Sequence, residues 1–310
     1  MSARPAPTTT NNGATPTATR EGTIADRGYQ PYRGGYTPES RRWQVIAGRM
    51  LRMSARQWWA ILLLIATVIP LLVAAVRMWI MSKLSVMAPG MASGIAVESP
   101  DTYVMLPGGT MTIAFLLALF SGAGQVADDA RAGAFQFYFA RPVTREQYLI
   151  GKLVPTLVLT LVVTLVPALL LSLLRLALLP SGAEVLRKLP LVGATIVIGS
   201  VEALVLALPA VAVSSLSRRR SYVQGGFATL YLLPWVMGSI FVKVTRSAWP
   251  ALLSVPEHLT NLARFVYRLP APEGERTLPV WLSALFLSAL VAGSLLLLRR
   301  RLAAVEVVAS

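Results

Sequence analysis

An all-α integral membrane protein with six transmembrane helices is the fold class this 310-residue sequence predicts, on three observations. Hydrophobic residues make up 55% of the chain and charged residues 14%, against about 25% charged in a typical soluble domain, which is too little charge to solvate a globular surface of this size. Six runs of 20 residues or more carry at most one charge each, and about 20 apolar residues take a helix across a hydrocarbon core about 30 Å thick. The formal net charge is +15, yet the basic residues flank the apolar runs and form no single stripe. That distribution suits a lipid bilayer and argues against nucleic acid. With no cysteine in the chain, a disulfide framework, a thiolate metal site and a cysteine nucleophile are all excluded.

Taken in order, residues 1–40 are rich in Thr, Pro, Gly, Asn and Ala without an apolar period, and read as a disordered, solvated cytoplasmic arm. Residues 41–56 place Trp43, Ile46, Ala47 and Met50, with Met53 less cleanly, at helical spacing among arginines. This pattern describes an amphipathic helix lying in the membrane interface, or a cytosolic extension of the first span. The six-helix transmembrane domain, 57–301, holds the spans: 57–76, 102–127, 153–174, 189–217, 221–242 and 277–298. The fourth is interrupted by Glu202, but 14 of its residues are Leu, Ile or Val. At roughly −0.3 to −0.6 kcal/mol each they outweigh the insertion cost of one carboxylate, about +3 kcal/mol. Residues 302–310 form a short tail. A first span beginning near residue 58 lies too far along the chain for a secretory leader.

With both termini inside, the inner segments hold 19 of the 29 Lys and Arg residues and the outer loops 10, a positive-inside bias that predicts cytoplasmic termini. The triplets 218–220 and 299–301, each just after a span, carry its clearest part. On the outer side, Ser254 and Glu257 form a Ser-x-x-Glu capping box ahead of a short amphipathic helix containing Leu259, Leu262, Ala263, Val266 and Leu269.

The segment between spans two and three holds the most chemistry. Asp128, Asp129 and Arg131 precede Gly133, then Phe135, Phe137, Tyr138 and Phe139 put four aromatics within five positions. A short helix is expected there, burying its aromatics against a partner or the interface. Pro142 ends it, and Thr144 with Gln147 makes a capping box that starts span three inside the cytoplasm. The result is a bent helix–turn–helix projecting from the membrane.

Those residues resemble the type-2 ABC transporter permeases, the six-span membrane subunits of ATP-driven exporters. The resemblance runs from Gly124 through Asp128, Asp129 and Gly133, across the aromatic segment, to Arg141-Pro142-Val143-Thr144-Arg145 and Gly151-Lys152. It extends more loosely over residues 41–301 through span number, the amphipathic lead-in and a large last outer loop. Phe135-Gln136-Phe137 departs from the Leu- and Glu-rich residues of many relatives. The resemblance implies a permease subunit of an exporter in a bacterial inner membrane, built as two permeases (a second copy or a paralogue) with two ABC ATPase subunits. ATP and Mg would sit on the partner ATPase, since this chain has no Gly-x-x-x-x-Gly-Lys-Ser/Thr phosphate loop and binds no cofactor of its own. It assigns coupling to Asp128, Asp129, Arg131, Phe135, Phe137, Tyr138, Arg141 and Arg145. Arg218, Arg219 and Arg220 form a second cytoplasmic contact or a plain positive-inside anchor.

Glu202, near the middle of span four, either lines a translocation path or pairs with a neighbouring span. Pro70, Pro155, Pro167, Pro209 and Pro234 lie within spans and predict kinks; Gly193 and Gly199 predict close helix approach. A membrane-embedded enzyme would need a nucleophile, base or metal cluster at depth, and the one histidine, His258, sits in an outer segment as a loop residue. An ion-coupled secondary carrier is the alternative function; it usually shows repeated halves, which this sequence lacks.

Overall fold

Helix is the only regular structure among the described residues of the computed structural model, 38–87, 109–139, 143–245, 247, 249–269 and 278–303. The expected arm, apart from 38–40, and the tail beyond 303 lie outside these residues, as does Arg141. Six helical stretches are long and apolar enough to cross a membrane: Trp58–Leu84, Thr110–Arg131, Arg145–Ala177, Gly182–Ser214, Arg220–Thr245 and Val280–Ala303. The chain is a multi-pass, all-α membrane protein.

A 3-10 turn, Glu39–Arg41, leads into α1, Arg42–Ala55. Ala47 is buried and Trp43, Ile46 and Met50 half-buried, whereas Met53 is exposed, so the expected apolar face exists and fades where the pattern fades. That face lies on α7, Arg145–Ala177. Gly151 permits the approach: a Cβ there would sit 2.9 Å from Ile46 Cβ.

Span one is two helices, α2 (Trp58–Ala66) and α3 (Val68–Met87), broken at Thr67. Pro70 has no N–H for Ala66 and its ring crowds that carbonyl, and the Thr67 hydroxyl donates to Leu63 O at 3.0 Å. α3 then continues through Arg77 and Lys83, past the end expected for span one at Val76. Nothing between Val76 and Met87 breaks a helix, and long cationic side chains near a span end can reach the headgroups.

Span two is also divided: α4, Gly109–Ser121, stops at Gly122 and resumes as α5, Gln125–Arg131. At Gly122 three helices converge, and a Cβ would meet Ala118 O at 2.8 Å, Thr156 Cγ2 at 2.9 Å and Ala210 Cβ at 3.1 Å. The two freed amides at Val126 and Ala127 donate to Ser214 Oγ at 2.9 and 3.1 Å. A side chain of α9, Pro190–Ser214, thus caps a helix in span two.

A shorter helix, α6 (Ala134–Phe139), follows α5; after α7 comes α8, Gly182–Lys188, capped by Ser181. α8 lies in the segment 175–188 expected to connect spans three and four. The remaining helices are α10 (Arg220–Thr245), α11 (Val255–Val266) and α12 (Val280–Ala303), with a 3-10 turn at Trp249–Leu253. α11 forms where expected, but its capping box does not: Ser254 is the N-cap residue, yet its hydroxyl makes no cap hydrogen bond and is buried without a partner among the described residues.

Spans two and four form the interior, with 72% and 56% of their apolar stretches buried, while spans one, five and six bury 22%, 17% and 17%. Between membrane helices the hydrophobic effect supplies little, so small residues and hydrogen bonds hold the interior. Gly199 brings α9 within 3.1 Å of Leu165 Cα, reckoned from its missing Cβ, and Thr164 donates to Gly199 O at 2.9 Å. Gly193, expected to do the same, faces open space.

Candidate functional site

The end of the bundle carrying both arginine triplets also carries α1, α5, α6 and the start of α7. Gly133 joins α5 to α6 at φ +64°, in the left-handed region that glycine enters without a Cβ penalty. α7 begins with the capping box read from the sequence: Gln147 N donates to Thr144 Oγ1 at 3.2 Å, and Thr144 N donates to Gln147 Oε1 at 3.1 Å. Gln147 Nε2 also donates to Glu39 O at 2.8 Å, tying α7 to the turn ahead of α1.

Between α5 and α7 lies a charge cluster. Lys152 Nζ stands 2.6 Å from Asp129 Oδ2, with the side chains 3% and 15% exposed. The Tyr148 hydroxyl donates to the same oxygen at 2.6 Å, and Lys152 Nζ reaches Gln125 O at 3.5 Å. The ammonium also lies 5.8 and 5.6 Å from the ring centroids of Tyr138 and Tyr148. Those two rings meet edge-on at 5.1 Å, and Phe135 meets Tyr148 at 5.6 Å. A carboxylate and an ammonium this enclosed need such additional donors and acceptors to offset lost hydration. Burial and the Asp129 carboxylate both push the Tyr138 phenol above its usual pKa, so it stays neutral.

Around this cluster the residues expected to dock a partner divide into two groups. Asp129, Phe135 and Tyr138 face inward, Asp129 fastening α5 to α7 and the two rings fastening α6 to α7. Asp128 pairs with Arg220 at 3.2 Å, and Arg220 also donates to Phe120 O at 3.0 Å and lies against Gly124, whose Cβ would be 2.9 Å from Nε. Arg220 therefore clamps the broken ends of span two. Arg145 donates to Ala303 O at 3.2 Å, joining α7 to α12. Arg131 and Phe137 face outward, Phe137 being 76% exposed. Arg219 stacks on Tyr222 at 5.4 Å and donates to its hydroxyl at 3.2 Å, leaving Arg218 exposed without a partner among the described residues.

A cleft of about 670 Å³ lies at this end, with Met50 and Met53 of α1, Trp59, Phe120 and Phe137 supplying apolar surface and Arg49, Arg220, Lys152, Asp128 and Asp129 supplying charge of both signs. The buried Gln125 side chain also lines it; its Nε2 donates to Thr156 Oγ1 and Ser121 O, while Oε1 has no partner among the described residues. The sequence reading missed Lys152 and Tyr148 as members of the site. Their signal was present, since they stand one helical turn apart with Lys152 in the Gly-Lys pair.

Glu202 lies half-buried in α9 and makes no hydrogen bond or ion pair among the described residues. His258 is fully buried. Among the described residues no group of three or more His, Asp or Glu side chains is arranged to hold a metal ion. No protein-family model matches the chain, and no curated protein matches it.

Proposed function

We propose that this chain is the permease subunit of an ABC exporter, seated in a bacterial inner membrane with both termini cytoplasmic and working with separate ATPase subunits. The observation that carries the reading is the α5–α6–α7 unit: a short helix held off the bundle by a left-handed glycine, outwardly presenting Phe137 and Arg131, inwardly locked to α7. Such a unit suits force transfer. A push on α6 is passed through the Tyr138–Tyr148 and Phe135–Tyr148 contacts and the Asp129–Lys152 pair to α5 and α7, which are parts of spans two and three. Among the residues the family resemblance assigns to coupling, Phe137 and Arg131 are then the docking contacts, and Asp129, Phe135 and Tyr138 the transmission. α1, with its apolar face on α7 and its arginines outward, serves as the interfacial helix. ATP and Mg belong to the partner, and a second permease copy or paralogue completes the path.

Tagged purification in mild detergent, with mass spectrometry of co-purifying proteins, tests this. Wild type should bring down a subunit with a phosphate loop, and Phe137→Glu with Arg131→Glu should lose it while keeping the same gel-filtration profile. An ATPase held equally by both keeps the family reading and rejects these docking residues. Transport in proteoliposomes driven by an ion gradient without nucleotide would reject the exporter in favour of a carrier.

A further inference from the structure

A second recess, about 440 Å³, opens at the same end between α5, α6, the turn after α9 and the end of α12. Its cations are Arg218 and Arg301, and no carboxylate lines it. Both side chains are exposed, and neither has a hydrogen-bond or ion-pair partner among the described residues. In the neighbouring cleft, by contrast, Lys152 and Arg220 are already paired with Asp129 and Asp128. Ser217 adds a donor: its oxygen accepts from Arg219 N at 3.2 Å, which leaves the hydroxyl proton unspent, whereas Ser215 gives its proton to Ala212 O.

Depth decides what anion fits. α9 ends at Ser214, and the charge-free stretch of span six ends at Leu298, three residues before Arg301. The recess therefore straddles the boundary between apolar and polar surface, with its lining residue Leu216 exposed at 46%. Basic pockets between membrane helices at this level recruit anionic headgroups, and paired guanidiniums match phosphate oxygens in charge and geometry. We propose that this recess seats the phosphate of an anionic phospholipid headgroup between Arg218 and Arg301, with Ser217 as a further donor. Because Phe135 of α6 lines the same recess, a seated lipid would also brace α6. The site stands whether or not the chain is an exporter.

Native mass spectrometry of the full-length protein, delipidated in neutral detergent and titrated with phosphatidylglycerol or phosphatidylcholine of matched chains, tests the assignment. Two arginines near a headgroup predict roughly a 30-fold preference for phosphatidylglycerol. Arg218→Gln with Arg301→Gln should reduce that preference to within about threefold. Arg299→Gln with Arg300→Gln removes equal charge from the adjacent turn and should keep it. Arg218→Lys with Arg301→Lys, which preserves both charges, should keep most of it and guards against a Gln variant that fails to fold. Equal binding of the two lipids by wild type overturns the proposal, and so does equal loss in the 299/300 variant, which would mean a diffuse basic surface. If millimolar inorganic phosphate at matched ionic strength displaces the lipid, the site is one for soluble anions and the lipid assignment fails.

Discussion

The two ends of the helix bundle hold their buried polar groups by different means. At the arginine-bearing end, an ammonium, a carboxylate and a phenol converge, with Lys152, Tyr148 and Asp129 within 2.6 Å contacts. At the opposite end a neutral relay runs from Asn261 to Ser283 to His258 to the Leu252 carbonyl. Asn261 Nδ2 lies 2.9 Å from Ser283 Oγ, Ser283 Oγ 3.0 Å from His258 Nδ1, and His258 Nε2 2.8 Å from Leu252 O. These distances fit a neutral imidazole donating from Nε2 and accepting at Nδ1. Phe286 stacks on the ring at 4.3 Å. A charged cluster is costly to desolvate and fails sharply when one partner goes; a neutral relay costs less to bury but is vulnerable to a proton. The first kind sits where a partner is proposed to push, the second where α11 is packed onto α12.

The sharpest way to break the comparison is to remove one charge. Lys152→Met leaves Asp129 enclosed without its cation, and the expected loss is about 3 kcal/mol, at the lower edge for breaking a buried pair. Adding Asp129→Asn should recover most of it, because a neutral amide can still accept from Tyr148. Unfolding titrations in mixed micelles, run on the wild type, both single variants and the double, measure the coupling as a cycle. Additive losses would mean that Lys152 and Asp129 do not act as a pair.

The charge pair also marks where reading the sequence stops. Gaps between charges gave all six spans, because insertion depends on summed hydrophobicity that a linear chain displays. Thr144 and Gln147 gave the start of α7, because a cap is local. The Asp129–Lys152 pair spans 23 positions and exists only because α5 resumes after Gly122 in a register that faces α7, a consequence of three-helix packing that no local pattern encodes. The same holds for Ser214 capping α5 from span four. Helix also runs past the charges that bound the expected spans, through Arg77 and Lys83 in α3 and Arg175 in α7, because charge alone does not end a helix.

The neutral end should respond to acid. Burial holds the His258 imidazole below its usual pKa, partly opposed by its bond to Leu252. Below about pH 6.5 the unfolded chain therefore takes up a proton that folded His258 resists, and stability falls as the pH drops; above that range both states are neutral and the contribution is complete. The slope cannot exceed about 1.4 kcal/mol per pH unit for one group. Protonation at Nδ1 would set a new donor against a Ser283 oxygen that already accepts from Asn261. Thermal unfolding in detergent from pH 7.5 to 5.5 should show the loss, and His258→Gln should flatten it. An unchanged slope in that variant would assign the acid sensitivity to other groups.

The smallest effect separates two copies of one sequence signature. Thr144-x-x-Gln147 and Ser254-x-x-Glu257 both read as capping boxes, yet only the first closes. Thr144 satisfies the Gln147 amide and has its own amide satisfied in return, so Thr144→Ala should cost about 1 kcal/mol and loosen the start of α7. Ser254 sits fully buried behind the Trp249–Leu253 turn, with its backbone N–H already bonded to Ala251 O at 2.9 Å and its hydroxyl without a partner among the described residues. Ser254→Ala removes a buried, unsatisfied polar group and should be neutral or slightly stabilising, since such a group carries a desolvation penalty with no bond to offset it. Measured side by side by thermal unfolding, opposite signs would show that the box at the neutral end is a pattern without a cap. Equal losses would mean that Ser254 Oγ finds a hydrogen-bond partner after all.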